Sequence, residues 1–553
     1  MYVPLMCLTH GTPLVSQIFP DEVATFAKEA GYLSIGLADV DQLYMCVKYD
    51  AAMKKAGLKP MLGIQLKLFG GDEETYVNVY AKNKAGWEEL LYIVYKANDP
   101  ANYKMGPRMD AFEFVQRLRG NLIVIVRDKF IDIFERHCDK DDVYIGLDPI
   151  SYPEKFEELR GSCLPKVAIS PNHYLSPDHW NINRYIFANY LKTTIKASSH
   201  RLFSSNEYYI LPKNELRDRG LSQEEIDNTG KIYDQIEEFS ITYKQELPHF
   251  DTPTGVTQEG FLRQLCRDGY KAKGLNSQEY IDRIKLELDV IGKADISGYF
   301  VIMQDIIRWA KSQGILIGVG RGSAGGCLTS YLTGITNVDP IKYNLLFERF
   351  YSADRGGLPD IDTDVPPSKR DQIISYIEEK YGAERFAQLA TFNTLKGAAG
   401  LKTVFRALGV DASEQNFITK KMPQEAQIAP DLKVQKDETG TDSLILWCIN
   451  NMDEFAQWCS KEFDGPYGQE FQAAIAIDKV IQGRGRHASA YALANEPIYK
   501  KAPLIWDVSA GRYVVGVNMD DAEKLGLVKL DLLGLDLLDK ADYIRRRLKN
   551  GAF

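Results

Sequence analysis

The segment from Gly318 to Asp364 constrains this chain more than any other part of its sequence. It opens on the glycine-rich run Gly318–Gly326 and ends on Leu358–Asp364, a strand-like run with alternating carboxylates. A glycine-rich turn can bind phosphates through backbone N–H groups and a helix N-terminus. Followed by paired carboxylates, such a turn indicates metal-assisted chemistry on a nucleoside triphosphate.

The paired carboxylates are Asp360 and Asp362. In a strand, side chains at i and i+2 point to the same face, and two carboxylates that close repel unless a cation lies between them. Two Mg²⁺ ions bound there could clamp the attacking and leaving oxygens of an in-line displacement. Asp364 is either a third ligand or a strand-end cap. The alternative for the whole run is an acidic, solvated edge strand.

A second strand-like run, Gly526–Leu535, is apolar except for Lys529 and Asp531, which share a face. An acid inside an apolar strand is costly unless it is paired or bound to a metal. Two interpretations follow. One is a buried Lys–Asp pair, and the other is a third carboxylate for the same metal pair, with Lys529 facing a phosphate or primer end.

The glycine turn also matches a dinucleotide-binding pattern. Gly320–Gly325 reads G-x-G-x-x-G, after the strand-like run Ile315–Val319 and before the helix-like run Cys327–Leu332. No βαβ pattern follows, which disfavours that interpretation. We therefore favour a turn that binds phosphates, with Arg321 and Ser323 in it and no dinucleotide.

Five segments in order resemble the polymerase core of the bacterial DNA polymerase III alpha subunit family, the C family. They are Gly320–Gly325, Gly334–Pro340, Leu345–Phe350, Leu358–Asp364 and Leu527–Leu535. The resemblance implies an α/β multidomain chain. A barrel-like α/β PHP domain would precede a palm of the beta-type nucleotidyltransferase fold, with a helical thumb inserted in the palm.

The resemblance also implies an activity and its residues. The chain would be the core of a template-directed DNA polymerase for replication, in which a primer 3′-hydroxyl attacks the α-phosphorus of a deoxynucleotide and releases pyrophosphate. The implied ligands of two Mg²⁺ ions are Asp360, Asp362 and Asp531. The implied nucleotide-binding residues are Arg321, Gly322, Ser323, Arg349 and Lys529.

Domain boundaries follow from the same resemblance. We expect a PHP-like domain with its connector over 1–229 and the first part of the palm over 230–391. The thumb would span 392–486, the second part of the palm 487–535, and the start of the fingers 536–553.

The PHP-like region departs from the metal-binding members of the family. Their opening His-x-His motif is Leu8-Thr9-His10 here, their Asp-His is Asp39-Val40, their Glu is Gln65, and their closing Asp-x-His is Pro171-Asn172-His173. Only His10, Asp39 and His173 remain as candidate ligands. We therefore expect a structural PHP domain without metal, rather than a PHP-type phosphoesterase.

Basic residues outside the palm motifs are candidates for binding DNA phosphates, in contacts that are independent of base sequence and sensitive to salt. The candidates are Lys396, Lys402, Arg406, Arg486 and His487. The first three fit equally well on an amphipathic helix with a solvated basic face. His487 would contact primer or stabilise the palm, and we favour the second role. The polar stretch from Lys433 to Gly440 is expected to form a loop.

Family members continue far beyond the third catalytic Asp, whereas here one amphipathic run, Leu537–Leu548, follows it. We expect primed DNA and dNTPs as substrates. The sequence is either a fragment of a longer polymerase or one part of a polymerase that is split between two polypeptides, and in the second case a separate polypeptide would carry the fingers and C-terminal domains. A sliding clamp and a proofreading exonuclease would be reached through other subunits. The alternative is a non-catalytic scaffold that retains the fold and binds DNA or replisome proteins.

Composition sets the remaining bounds. The chain is 45% hydrophobic and 26% charged, which is ordinary for globular proteins. Its eight cysteines include no C-x-x-C pair, which favours reduced thiols. The start does not resemble a signal peptide and no run is apolar enough for a membrane span, so we expect a location in bacterial cytoplasm or in an infected host cell. A net charge of −9 predicts weak, salt-sensitive DNA binding.

Overall fold

Two β-sheets organise the chain, and helices surround both. The computed structural model describes residues 1–197, 200–352, 358–460 and 466–549. One unit comprises Met1–Ile241 with Phe392–Gly485, and the other comprises Thr242–Thr391 with Arg486–Phe553. Residues 550–553, the end of the expected fingers segment, lie outside the described part. The α/β class expected from the sequence is confirmed.

The sheet of the first unit has seven strands in the order β1-β2-β3-β5-β6-β7, with β4 paired to β2. Pairing is antiparallel between β2 and β3 and between β3 and β5, and parallel elsewhere. The strands are β1 (Asp39–Val40), β2 (Gly63–Gly70), β3 (Glu73–Ala81), β4 (Met109–Asp110), β5 (Leu122–Val126), β6 (Val143–Leu147) and β7 (Lys166–Ala168).

The segment around Cys7 makes this sheet barrel-like. Cys7 forms parallel bridges to Leu37, just before β1, and to Asn172, just after β7. The Cys7 N–H donates to the Gly36 carbonyl at 2.9 Å, and the Leu8 N–H donates to the Asn172 carbonyl at 3.1 Å. The two edges of the sheet are thereby joined, which satisfies backbone groups that an open edge would leave unpaired.

Fifteen described helices belong to the first unit, nine before residue 241 and six after residue 392. The first nine are α1 (Pro20–Glu29), α2 (Cys46–Lys55), α3 (Lys84–Ala97), α4 (Ala111–Arg117), α5 (Ile131–His137), α6 (Phe156–Arg160), α7 (Trp180–Tyr190), α8 (Lys213–Asp218) and α9 (Gln223–Gln235). The other six are α15 (Ala398–Leu408), α16 (Ala412–Thr419), α17 (Ala429–Thr439), α18 (Leu444–Asn451), α19 (Asp453–Cys459) and α20 (Gly468–Ala476).

The expectation of a loop at Lys433–Gly440 is wrong, because α17 covers most of it. Pro430 occupies the first turn of α17, where a missing N–H costs nothing, and Gly440 ends the helix with φ +79°. Leu432 and Gln435 are buried. Pro430 and Gly440 favour the two ends of this helix, and only two of its side chains are buried. A helix with so few buried side chains shows little apolar periodicity in its sequence.

The sheet of the second unit has the order β11-β12-β9-β10-β13-β8. The pairs β13–β8 and β12–β9 are parallel, and β10–β13 and β11–β12 are antiparallel. The strands are β8 (Asp362–Val365), β9 (Phe386–Thr394), β10 (Ile481–Leu493), β11 (Leu504–Asp507), β12 (Arg512–Val515) and β13 (Val528–Gly534).

Seven described helices belong to the second unit. They are α10 (Gln258–Ala272), α11 (Gln278–Lys293), α12 (Ser297–Ser312), α13 (Leu328–Leu332), α14 (Arg370–Tyr381), α21 (Met519–Lys524) and α22 (Asp536–Lys549). Twelve of the sixteen residues of α12 are buried, so α12 is the central helix of this unit's core.

A buried carboxylate on α11 holds the start of α13. Glu287 is 0% exposed and accepts hydrogen bonds from the backbone N–H groups of Leu328 at 2.9 Å and Thr329 at 2.8 Å. Arg283 donates to the same carboxylate at 2.8 Å. The N–H groups at a helix start have no partner within the helix, so Glu287 satisfies donors that would otherwise be buried without one.

We expect Glu287→Ala to lower the free energy of unfolding by about 3 kcal/mol, because it leaves buried N–H groups and the Arg283 guanidinium without their acceptor. Urea unfolding of the full chain measures the loss. The matched control is Glu279→Ala, at an exposed position of the same helix, with an expected change within about 0.5 kcal/mol. Equal losses in the two variants would contradict the assigned role.

Candidate active site

Three carboxylates converge at one end of the second sheet. Asp360, Asp362 and Asp531 each offer an oxygen within 4.8 Å of the others. Asp531 is buried, the Asp362 side chain is 20% exposed and the Asp360 side chain is 54% exposed. The cluster is therefore anchored in the sheet on one side and open on the other.

Strand register brings these carboxylates together. Asp531 on β13 lies directly across from Asp362 on β8 in parallel pairing, so their side chains leave the sheet on the same face. Asp360 precedes β8 by two residues, and its carboxylate lies beside theirs. The strand expected over Leu358–Asp364 begins only at Asp362, yet the two carboxylates still meet as the sequence spacing predicts.

Two basic side chains balance the cluster. Lys529 Nζ lies 2.9 Å from Asp531 Oδ2 and 3.2 Å from Asp360 Oδ2. Arg321 pairs with Asp362 at 3.1 Å and with Asp364 at 3.1 Å. The Lys529–Asp531 pair of the first interpretation is present. Asp531 also belongs to the carboxylate group, and its role as a metal ligand stays a prediction. Asp364 is engaged by Arg321.

The pKa values of Asp362 and Lys529 are shifted by burial and by the charged groups close to them. Burial, and then the charge of Asp360, raise the pKa of Asp362, although Arg321 opposes this shift. Burial opposes the charged form of Lys529, but its hydrogen bond to Asp531 and the nearby carboxylates raise the pKa of Lys529. A carboxyl whose pKa is raised beside other carboxylates marks negative charge that a further cation would stabilise.

The residues present fit divalent metal ions. Mg²⁺ takes oxygen ligands, commonly a few carboxylates together with substrate phosphates, and the three oxygens lie close enough to share ions. Gly322 adjoins the cluster with φ +66°, and a Cβ there would lie 2.8 Å from Asp362 Oδ2. A side chain at this position would crowd that carboxylate oxygen, and glycine adopts the backbone conformation without the strain that other residues meet.

The glycine turn differs from a dinucleotide-binding unit. The run Ile315–Val319, which the Rossmann pattern requires as a strand, has no strand structure, and Gly322–Gly326 forms a short 3₁₀ helix. The turn is held to β8 instead, because the Gly318 N–H donates to the Asp364 carbonyl at 2.9 Å. The turn is thus part of the carboxylate site.

Arg349 and Ser323 border the turn without belonging to the carboxylate group. Arg349 is exposed, while Phe347 and Phe350 on either side of it are buried. A Cβ at Gly326 would lie 2.7 Å from the Leu346 carbonyl oxygen, so the two segments pack closely. Ser323 is half-buried. The triphosphate contacts expected of both residues stay predictions.

The expected DNA-binding residues lie in two places. Lys396, Lys402 and Arg406 lie on or before α15 in the first unit. Lys396 Nζ is 4.0 Å from Glu425, and Lys402 donates to Asn416 at 2.8 Å, whereas Arg406 is exposed. Their role on duplex phosphates stays a prediction.

Arg486 and His487 lie on β10 in the second unit. The His487 Nδ1 accepts hydrogen bonds from the backbone N–H groups of Ser489 at 3.3 Å and Ala490 at 2.9 Å. Arg486 is 3.9 Å from Asp507. The imidazole thus holds the backbone of β10 next to Asp531, which Ala490 opposes in register. This geometry favours the structural role for His487.

The three candidate PHP ligands are buried. Asp39 is engaged by protein hydrogen-bond donors, whereas the Nδ1 atoms of His10 and His173 have no hydrogen-bond partner among the described residues. Asp39 accepts hydrogen bonds from the Thr9 N–H at 2.7 Å, the Thr9 hydroxyl at 2.6 Å and the Thr12 hydroxyl at 2.9 Å. Burial raises the pKa of Asp39 to about 7. Burial also lowers the pKa of His10 to about 3 and that of His173 to about 4.

Sequence reasoning missed Arg127, which follows β5 in the same unit. Its guanidinium donates to Gln65 Oε1 at 2.5 Å and to Asn78 Oδ1 at 2.9 Å, and both amides are buried. The family resemblance places Gln65 at the position expected for a Glu ligand of metal-binding members. An arginine directly after the five-residue apolar strand Leu122–Val126 was the available signal.

We expect Arg127→Met to cost about 2–3 kcal/mol of stability, since two buried amide oxygens would lose their charged donor. Denaturant unfolding of the full chain tests this. Arg136→Met is the control, because the Arg136 side chain is 72% exposed and its loss should cost little. A variant at Arg127 as stable as the control variant would show that the guanidinium does not hold the sheet.

Two stretches of this chain match the models of known protein families. Residues 260–534 match the bacterial DNA polymerase III alpha NTPase domain, and residues 8–158 match the PHP domain. The chain therefore contains both domains, and its amino-terminal part is a PHP domain as the resemblance implied.

Curated relatives extend the match along nearly the whole chain. The DNA polymerase III subunit alpha of Aquifex aeolicus is 29% identical over 99% of this chain and 52% of its own length. The subunit alpha of Bacillus subtilis is 29% identical over 93% of this chain and 46% of its own length. The chain is thus related to the DNA polymerase III alpha subunits and spans about half the length of these relatives.

Structural similarity adds nothing further. A putative metal-dependent phosphoesterase from Bifidobacterium adolescentis covers 40% of this chain and 97% of its own, at 11% identity and a TM-score of 0.20, too low to define a fold. Within the described residues, no helix combines the length and apolar character needed to cross a membrane. All eight cysteines lie in the described part and are free.

Proposed function

We propose that this chain is the core of a template-directed DNA polymerase, which transfers a nucleotide from a dNTP to a primer 3′-hydroxyl during DNA replication. The observation that carries the proposal is that the carboxylates of Asp360, Asp362 and Asp531 lie close together. Gly322, which has no side chain, lies next to them. Sequence relatives named as DNA polymerase III alpha subunits support it.

The three carboxylates would hold two Mg²⁺ ions. When bound, such ions supply Lewis-acid stabilisation of the attacking and leaving oxygens in an in-line displacement. The chain's own contribution is positioning, since phosphoryl transfer leaves little covalent work to the protein. Asp531 and Asp362 are fixed by strand register, and Asp360 lies on the open side towards an incoming substrate.

Basic side chains would orient the triphosphate. Arg321 and Lys529 now balance the carboxylates at distances of 2.9–3.2 Å. Added divalent charge would weaken those pairs and free both side chains for phosphate oxygens. Arg349, exposed on the segment packed against the glycine turn, would neutralise charge that develops on the leaving pyrophosphate. Gly322 and Ser323 would supply close contact to the phosphates.

The proposed partners are those that the family resemblance implies. We propose that a second polypeptide with fingers and C-terminal domains completes the enzyme, with the palm over 230–391 and 487–535 and the thumb over 392–486 of this chain. Primed DNA would be bound with help from Lys396, Lys402 and Arg406. A clamp and a proofreading exonuclease would act through other subunits.

Counting bound Mn²⁺ tests the metal site without requiring extension. We expect electron paramagnetic resonance of the full chain with saturating dATP to detect two bound ions, and fewer in Asp531→Asn. The control is Asp520→Asn, which alters an exposed carboxylate outside the cluster. An unchanged ion count in Asp531→Asn would contradict the site and would favour the scaffold that binds DNA or replisome proteins.

A further inference from the structure

A groove lies between α10 and α11 in the second unit, apart from the carboxylate site. Its volume is about 380 Å³. Both helices contact α13, which contributes Leu332 to the groove. At Gly269 of α10 a Cβ would lie 1.9 Å from the Leu332 carbonyl oxygen, so glycine permits the close approach of helix and floor.

The floor of the groove is apolar. It is formed by Cys266, Tyr270, Ile281, Ile284, Leu288 and Leu332. Ile281, Ile284 and Tyr270 are only half-buried, so apolar surface remains accessible between the helices. Accessible apolar surface with a polar rim is characteristic of a site that another chain covers.

The rim of the groove is basic. Arg263, Arg267 and Lys271 recur every four residues along α10, and Lys285 lies on the α11 side. The spacing places the three α10 side chains on one face. No carboxylate lines the groove among the described residues. Within that part of the chain, only Arg263 of the four basic side chains forms an ion pair, with Glu259 at 2.8 Å. This local excess of positive charge occurs in a chain of net charge −9.

We propose that this groove binds an acidic amphipathic helix from a partner protein. Leucine-like side chains on one face of that helix would fill the floor between α10 and α11, and carboxylates flanking them would meet the four basic side chains. A helix seated in a groove between two helices is a common recognition mode. Bare phosphate contacts, as in DNA binding, require no apolar floor, so the floor favours a peptide.

A designed peptide tests the proposal. The probe is a fluorescein-labelled helical peptide with leucines on one face and glutamates beside them, titrated with the full chain and followed by anisotropy. Comparison probes are a scrambled peptide of the same composition, a version with lysine in place of glutamate, and a single-stranded DNA oligonucleotide. We expect the acidic helix to bind at least about tenfold more tightly than either comparison peptide.

Two matched variants locate the binding. Lys285→Glu reverses a rim charge and should weaken binding of the acidic helix about tenfold. Lys342→Glu makes the same charge change at an exposed position outside the groove and should leave binding unchanged. Ile284→Gln should weaken binding while preserving the thermal midpoint, because Ile284 is only half-buried.

Three results would overturn the proposal. The first is equal affinity for the scrambled and the helical peptide. The second is an equal effect of Lys285→Glu and Lys342→Glu on the acidic helix. The third is a loss of oligonucleotide binding in Lys285→Glu with peptide binding intact, which would assign the rim to nucleic acid. None of these measurements depends on nucleotide incorporation, so they are independent of the proposed function.

Discussion

Asp531→Asn is expected to lower the rate of nucleotide incorporation by about 10³-fold or more, with the fold intact. Removing one carboxylate from the group would disable the proposed binding of divalent ions, and such ions carry much of the transition-state stabilisation in phosphoryl transfer. Stability should change little, because three carboxylates within 4.8 Å of one another repel and Lys529 keeps Asp360 as its partner at 3.2 Å.

Single-turnover incorporation at saturating dNTP, with the completing polypeptide present, measures this effect. Asp520→Asn serves as the control, since it removes an exposed carboxylate elsewhere in the unit. Thermal unfolding run in parallel separates loss of chemistry from loss of fold. Incorporation by Asp531→Asn at the rate of the control would remove Asp531 from the proposed catalytic centre.

Gly322→Ala is expected to reduce incorporation by about 10²-fold. Its Cβ would lie 2.8 Å from Asp362 Oδ2, and the backbone φ of +66° is one that residues with side chains rarely adopt. Either the turn or the carboxylate must move, and a displacement of about 1 Å in a positioned site can cost a factor of that size. The loss should include weaker dNTP binding, because the turn borders the proposed phosphate site.

Gly325→Ala supplies a control within the same turn. A Cβ at Gly325 meets nothing within 4 Å, and its φ is not in the left-handed region. Steady-state kcat and KM for dNTP in both variants make the comparison. Similar kinetics for Gly322→Ala and Gly325→Ala would show that the approach of the turn to Asp362 does not matter for activity.

Much of the candidate site could be predicted because its signals are local. Carboxylates at Asp360 and Asp362, and Lys529 beside Asp531, follow from the alternation of side chains along a strand. The meeting of β8 with β13 depends on long-range pairing, which no local pattern specifies. The family resemblance supplied that link, and the register of Asp531 with Asp362 agrees with it.

Other features escaped prediction because tertiary contacts override local pattern. Ile315–Val319 has the composition of a strand but no strand partner, so hydrophobicity alone did not determine its structure. The helix α17 depends on Pro430, Gly440 and two buried side chains. Arg127 is held by Gln65 and Asn78 from other strands. Contacts between strands that are distant in the sequence cannot be predicted from the residues next to Arg127.

Primer extension measures whether the carboxylate group supports template-directed nucleotide incorporation. The full chain and its Asp360→Asn variant would be incubated with a primed template, four dNTPs and Mg²⁺, with and without the candidate completing polypeptide. We expect template-dependent, Mg²⁺-dependent extension by the unaltered chain in at least the completed form, and none by Asp360→Asn. Equal extension by both, or extension that persists without divalent metal, would contradict it.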